Sequence, residues 1–169
     1  METCSAPIRA LFTALFGSFF FTLWLTEPPK PWVDRSDRAK LLAHKIGSAQ
    51  DINRAAENAG FRLSGDLRGS IDSIKRNDAG DVTMVGWLAD KEGYAVSLEV
   101  LVFTRDGKTA STRTAGERAD VTRQLSLGFG AEKNVSFQLT FACAPGEQPL
   151  VIGLGTKGQY TRLVASRCP

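Results

Sequence analysis

Histidine and cysteine, which most often supply nucleophiles, proton carriers and metal ligands, are scarce in this chain of 169 residues. It contains one histidine, His44, and three cysteines, Cys4, Cys143 and Cys168. Beyond residue 60 there is therefore no histidine to activate a serine or cysteine nucleophile. These scattered side chains also lack the close spacing of zinc ligands. The sequence predicts no catalytic residue, no metal site and no cofactor.

Two stretches look like ligand-binding motifs but are better explained as turns. GLGTKG, at 153–158, has the glycine spacing of dinucleotide-binding loops, yet only 11 residues follow it. The dinucleotide motif needs a helix after the glycines and an acidic residue about 20 positions further on, so we predict a hairpin turn. NDAGD, at 77–81, offers oxygen ligands for calcium but lacks the EF-hand spacing, and turn chemistry explains it.

Five side chains suit either ligand binding or a structural role: Trp87, Asp90, Tyr94, Arg118 and Asp120. We expect Arg118 and Asp120 to form a structural ion pair or to cap backbone groups, with ligand binding as the alternative. We expect Trp87 in the core of a sandwich, and stacking of Trp87 and Tyr94 on a sugar is the alternative. A hydrolase with paired carboxylates drawn from Asp72, Asp90 and Asp120 is the weakest hypothesis.

Cys143 and Cys168 both lie in the C-terminal part of the chain. A bridge between them would close a loop of about 25 residues and would stabilise the fold by roughly 3.5 kcal/mol in the chain-entropy model. Such a disulfide indicates an oxidising compartment, the periplasm or the outside. The alternative is two unrelated buried thiols. Cys4 is expected to stay reduced in the cytoplasm.

The segment from Ala10 to Thr26 has 17 residues without a charge. As a helix it would be roughly 25 Å long, just short of a ~30 Å hydrocarbon core. Arg9 can snorkel at one end and Trp24 can lie at the interface at the other. We predict an uncleaved transmembrane anchor at 10–26 after a cytoplasmic N-terminus at 1–9. A cleaved signal peptide is the alternative, although no good pair of small residues marks a cut site after the apolar run.

Small side chains recur every four residues along one face of this predicted helix. They are Ala10, Ala14, Ser18 and Thr22, with Gly17 beside them. A stripe of small residues lets membrane helices approach closely. It indicates packing against a second copy or another membrane protein, and chance placement is the alternative. The predicted location is the bacterial inner membrane, with the C-terminal domain in the periplasm, although basic residues after the segment weaken the orientation signal.

A proline-rich linker and an amphipathic helix are predicted at residues 27–59. The prolines of TEPPKPW, at 26–32, make a stiff, extended break. The helix is predicted from about Asp37 to Asn58, with Ser36 as N-cap and Gly60 just past its end. Its apolar stripe consists of Leu42, Ile46, Ala49, Ile52 and Ala56. The stripe would pack on its own domain, on a second copy or on a partner, and the first is the simplest expectation.

From Arg62 onward, short alternating or β-branched runs are separated by turn residues. Seven runs are predicted as strands: GSIDSI, DVTMVGW, SLEVLVF, KTASTR, NVSFQLTF, PLVIGL and QYTRLVA. Asp106-Gly107 is a strong hairpin signal, and GERADVTRQL, at 116–125, predicts a short helix or a crossing loop between two sheets. The predicted fold class is mainly β. It is an antiparallel immunoglobulin-like β-sandwich at 60–169, preceded by the transmembrane helix and the linker helix.

Four short patterns follow one another in this domain: Gly-x-Ile-Asp, Gly-Trp-x-x-Asp, a Val-Phe strand ending in Asp-Gly, and Arg-x-Asp-Val. The residues concerned are Gly69, Ile71, Asp72, Gly86, Trp87, Asp90, Val102, Phe103, Asp106, Gly107, Arg118, Asp120 and Val121. Together they resemble an uncharacterised β-sandwich domain of alphaproteobacterial envelope proteins, similar to modules that trail some bacterial glycosyltransferases. The resemblance implies a fold and brings no catalytic residues.

Charge and composition narrow the function further. The chain has 21 basic and 18 acidic residues, evenly spread, so no basic face for nucleic acid is predicted. The leading hypothesis is a non-enzymatic, single-pass envelope protein that acts as an interaction or accessory subunit of a membrane or cell-envelope complex. The alternative is a module that binds a glycan or another small ligand.

Overall fold

Two packed β-sheets are the framework of the protein in a computed structural model. The described residues are 38, 41, 46, 48–92, 96–127 and 134–169. Helix α1 spans Ala49–Asn58 and helix α2 spans Ala119–Leu125. The strands β1 to β8 are, in chain order, Arg62–Leu63, Leu67–Arg76, Val82–Asp90, Glu99–Phe103, Thr109–Arg113, Ser136–Phe141, Leu150–Leu154 and Gln159–Leu163.

Several predicted features lie outside the described residues. They are the anchor at 10–26 with its small-residue stripe, the N-terminus, the proline-rich linker, His44 and Tyr94. The described residues all belong to one unit, Pro31–Pro169. Within them, no helix combines the length and apolar character needed to cross a membrane.

The described strands form a five-stranded and a three-stranded sheet. The first has the order β1-β8-β7-β4-β5 and the second the order β2-β3-β6. Neighbouring strands are antiparallel, except that β1 runs parallel to β8. The seven predicted strands correspond to β2 through β8. The two-residue strand β1 was not predicted, because two residues are too short to show a period.

The two sheets pack face to face around one apolar core. Alternate side chains of β3 point inward, and residues from β4, β6, β7 and β8 meet them. The buried members include Leu67, Val82, Met84, Leu88, Val100, Phe137, Val151 and Leu163. The fold is therefore mainly β, with two packed sheets, as the alternating sequence pattern predicted.

Helix α1 covers the outer face of the five-stranded sheet. Ile46, Ile52 and Ala56 are buried in a second cluster with sheet residues such as Leu101 and Ile152. The prediction that the apolar stripe packs on its own domain is confirmed for these three residues. The side chains of Leu42 and Ala49 lie outside the described set.

The prediction of one continuous helix from Asp37 to Asn58 is wrong. Arg38 and Leu41 are helical, but Ile46 and Ser48 are not. Ser48 begins a new helix by accepting a hydrogen bond from the Asp51 N–H at 3.2 Å. A serine N-cap competes with a continuous helix because its side chain satisfies an N–H at the start of the second helix.

Helix α1 ends where the sequence predicted. Gly60 has φ of +88° and the Phe61 N–H donates to Ala56 O at 2.8 Å. The Gly60 N–H donates to Glu57 O at 3.0 Å, which completes a Schellman motif. The buried Phe61 then leads the chain into β1.

The predicted turns are present as hairpins. Asp106-Gly107 lies in the β4–β5 turn, where the Thr104 N–H donates to Lys108 O at 3.0 Å. GLGTKG ends β7 and forms the β7–β8 turn, in which the Gly155 N–H donates to Gln159 O at 2.8 Å. GERADVTRQL contains α2, which lies in the connection from the five-stranded to the three-stranded sheet.

Candidate functional site

Arg118, Asp72 and Asp120 form an ion cluster that joins α2 to strand β2. Arg118 binds Asp120 through two hydrogen bonds of 2.9 Å, and its Nη1 donates to Asp72 Oδ2 at 2.6 Å. This is the ion pair expected for Arg118 and Asp120, with Asp72 added. Both aspartates are partly exposed to solvent.

Arg118 and Asp120 stabilise each other's charged form. The hydrogen bonds that Arg118 donates lower the pKa of Asp120 to about 2, and the same bonds to Asp120 raise the pKa of Arg118. A general acid needs a raised pKa rather than a lowered one. Asp72 and Asp120 do meet, as a carboxylate dyad requires, but they meet around a neutralising guanidinium. The geometry fits a structural ion cluster that links α2 to β2 better than it fits a catalytic pair.

Trp87 lies on the outer face of the three-stranded sheet rather than between the sheets. It is half-buried and packs on a small cluster of Ala89, Val121 and Val135, below α2. The sequence placed it in the sandwich core because tryptophan is a common core residue there. Successive side chains of a strand point to opposite faces of the sheet. Because Leu88 points into the core between the sheets, Trp87 beside it points to the outer face.

Asp90 ends β3 and is only 3% exposed. Its Oδ1 accepts a hydrogen bond from the Glu92 N–H at 3.0 Å, while Oδ2 has no partner within the described part of the chain. Burial raises the pKa of Asp90 above its ordinary value of 3.8. Asp90 is not part of the Arg118 cluster.

Cys143 and Cys168 form the predicted disulfide, with an S–S distance of 2.03 Å. Arg76 reinforces the link, because its Nε donates to Pro169 O at 2.8 Å and its Nη2 to Cys143 O at 3.1 Å. Together they hold the end of the chain against the β6–β7 connection. These contacts give the disulfide a structural role.

The most exposed apolar side chains lie elsewhere, in a groove beside β8. Val164 is 86% exposed and Leu63 is 59% exposed, and these are the large hydrophobic residues that the described chain leaves in solvent. Both line a cavity of about 460 Å³, which we call the β8 groove. Its wall consists of Ile52, Leu63, Gln148, Pro149, Leu150, Val151, Thr161, Arg162, Leu163, Val164 and Ala165.

A more polar pocket of about 410 Å³ adjoins the β8 groove and shares Gln148 and Leu150 with it. Arg105 and Arg167 line this second pocket, which we call the Arg105 pocket. Its acidic lining residue, Glu147, accepts hydrogen bonds from the N–H groups of Arg105 and Ala144. The described lining of the two cavities thus combines apolar side chains with three arginines, Arg105, Arg162 and Arg167.

Sequence reasoning missed this surface. The alternation in QYTRLVA predicted a strand, but it did not show that one face of its end is left open. Leu63 belongs to a two-residue strand, and the walls of the groove come from helix α1, β7 and β8. Only chain folding brings residues so far apart in sequence together.

Comparison of the chain with protein-family models, curated proteins and solved structures found no match. The resemblance to an alphaproteobacterial envelope domain therefore stays a prediction. The functional argument depends on the geometry of the chain itself.

Proposed function

We propose that the protein is a non-enzymatic, single-pass protein of the bacterial inner membrane. In this proposal residues 10–26 form the anchor, and the β-domain is displayed in the periplasm. It serves as an interaction or accessory subunit of a membrane or cell-envelope complex. The observation that carries the proposal is the β8 groove, since exposed apolar surface that lines a concave site is typical of protein interaction.

Two further observations support parts of this proposal. The disulfide between Cys143 and Cys168 suits an oxidising compartment such as the periplasm. The strand order suits the immunoglobulin-like class: β2, β3 and β6 form one sheet, and β4, β7 and β8 form the other, with β5 added at its edge. We include that class in the proposal.

The test is purification of the full chain with a C-terminal tag from native membranes in mild detergent. Mass spectrometry then identifies every retained protein. We expect a stoichiometric partner, and peptides from residues 1–25 in the purified chain. Recovery of a shortened chain alone in the soluble fraction would contradict both the anchor and the subunit role.

Two sets of variants assign the contact. Val164→Asp is expected to release a partner held by the β8 groove, whereas Gln138→Asp, an exposed strand residue on the other sheet, is the matched control. Ala14→Leu combined with Ser18→Leu tests packing of the anchor. If the partner is retained by every variant, neither surface holds it.

A glycan- or small-ligand-binding module is the second candidate, and the Arg105 pocket favours an acidic ligand. Titration of the full chain with acidic and neutral oligosaccharides tests it. The full chain is needed because α1 covers the five-stranded sheet, so a fragment starting at residue 60 would expose Leu101 and Ile152. Binding lost in Arg105→Ala would support a glycan site, and no binding would remove this candidate.

A further inference from the structure

One edge of the five-stranded sheet is open beside the β8 groove. Strand β1 pairs with β8 only at Gln159 and Tyr160. The chain then leaves the sheet after Ser64, whose N–H donates to Tyr160 O at 2.9 Å. Past this point β8 has no neighbour on this side within the described residues.

The open edge presents backbone donors and acceptors. Hydrogen-bonded and non-hydrogen-bonded pairs alternate along antiparallel strands. Because Gly155 and Gln159 are hydrogen-bonded, Thr161 and Leu163 bond to β7, and Arg162 turns its N–H and C=O away from β7. The same alternation directs those of Val164 outward, and no described residue bonds to them. An added strand can use these groups directly.

The side chains along this edge define what an added strand must carry. Tyr160 belongs to the outer cluster and Leu163 to the core between the sheets, so Arg162 and Val164 lie on the outer face, next to the groove. Residues directly opposite each other on paired strands contact one another. A partner strand therefore suits an acidic residue opposite Arg162 and, two positions away, an apolar residue opposite Val164.

Charge favours such a partner over a neutral or basic one. The side chains of Arg105, Arg162 and Arg167 form no ion pair within the described part of the chain. Arg162 lines the β8 groove, and the other two line the adjoining Arg105 pocket. The opposite edge of the sheet differs: Arg38 donates to Ser111 Oγ of β5 at 2.6 Å, and the exposed side chains of β5 are polar.

We infer that a partner protein binds this protein by adding an extended strand to the β8 edge, with an acidic and an apolar side chain two positions apart facing the groove. The inference rests on the proposed interaction role and specifies its mode. Main-chain hydrogen bonds to Arg162 and Val164 supply affinity, and the groove and Arg162 supply selectivity.

The probe is a fluorescent heptapeptide, Thr-Val-Thr-Glu-Thr-Val-Thr, which offers the same pattern in either strand direction. It is titrated into the full chain in detergent, and hydrogen exchange of the Arg162 and Val164 amides is followed by NMR. We expect binding together with slower exchange at both amides. Replacing glutamate by lysine should weaken binding about tenfold. N-methylation of the alternate peptide amides that face β8 should abolish binding, because it removes their N–H donors.

Two protein variants separate backbone from side-chain effects. Val164→Pro removes one edge N–H and is expected to weaken peptide binding about tenfold, as for the loss of one main-chain hydrogen bond. Val164→Ala keeps that N–H and loses only apolar contact, so it should weaken peptide binding less than Val164→Pro does. Val164 is exposed, so neither change disturbs the core.

The remaining outcomes overturn the inference. Binding that ignores N-methylation, or that leaves both amides unprotected, would mean that the groove works without strand addition. Amides already protected without peptide would show that the chain's own N-terminal segment occupies the edge, and protection that grows with protein concentration would show a second copy. No peptide binding also overturns it, whereas the proposed subunit role fails only if purification yields no partner.

Discussion

Asp90 shows how one buried carboxylate weakens a fold at neutral pH. It faces the core at the end of β3, and one of its two oxygens has no hydrogen-bond partner within the described residues. Its pKa is raised mainly by burial, and the nearby charges change this only in part. A group whose folded pKa lies above its unfolded value favours folding below the unfolded pKa, and this advantage is lost as pH rises through the folded pKa.

Asp90→Asn is therefore expected to stabilise the protein at pH 7, by on the order of 1 kcal/mol, because it removes a buried charge. Asparagine keeps the oxygen that accepts from the Glu92 N–H. The gain should vanish at about pH 3, below the unfolded pKa, where the wild-type carboxyl is protonated in both states. Urea unfolding at pH 7 and at about pH 3 measures it.

Asp78→Asn is the matched control, since Asp78 is exposed on the β2–β3 turn. We expect little change in the free energy of unfolding at either pH. A less stable Asp90→Asn at pH 7 would mean that the ionised carboxylate has a favourable partner, and the explanation by burial would be wrong.

Strand β3 is the element on which the three-stranded sheet is built, because it pairs with both β2 and β6. Gly86 lies at its centre, opposite Ile71 and Phe137. A Cβ at Gly86 would overlap the Ser70 main-chain oxygen and would lie 2.8 Å from Phe137 Cζ. The glycine of the Gly-Trp-x-x-Asp pattern is thus required by the close approach of β2.

Gly86→Ala is expected to destabilise the protein by about 3 kcal/mol, since a main-chain oxygen cannot move away without shifting a strand. Thermal unfolding followed by circular dichroism measures the loss. Gly65→Ala is the control, because a Cβ there has no atom within 4 Å. Equal melting temperatures for the two variants would show that β2 adjusts more easily than this packing implies.

The disulfide and Arg76 hold the C-terminal end of the chain against the two sheets. Cys143 follows β6 and Cys168 follows β8, so the bridge connects the two sheets across 25 positions of sequence. Arg76 of β2 donates to the main-chain oxygen of Cys143 and to that of Pro169, which follows Cys168. The link therefore constrains three separate elements at once.

Cys143→Ser combined with Cys168→Ser is expected to lower the free energy of unfolding by about 3.5 kcal/mol, from the entropy of the open loop. Chemical denaturation measures the loss, and wild-type protein in reductant should show a similar loss. Alkylation of denatured wild-type protein should add one group, at Cys4, without reductant and three with it. Three groups without reductant would show that the bridge does not form in the cell.

Local sequence determined the strands and the turns. Alternation with period two, the Asp106-Gly107 turn and the glycine after Asn58 depend on neighbouring residues, so each could be predicted without the fold. The break at Ser48 was missed because the apolar stripe continues across it. Trp87 was misplaced because the phase of alternation along β3, rather than the residue type, decides which face it occupies.

Tertiary structure alone decided the site. The Arg118 cluster joins residues 46 positions apart, and the β8 groove draws its wall from α1, β1, β7 and β8. Which sheet edge is covered depends on where a two-residue strand stops, which no periodic pattern records. The sequence determined a mainly β chain with hairpin turns, because these follow from local preferences. The Cys143–Cys168 bridge was predicted, but it forms because folding brings together two residues 25 positions apart. The open edge at Arg162 and Val164 arises from long-range packing, which only the folded chain displays.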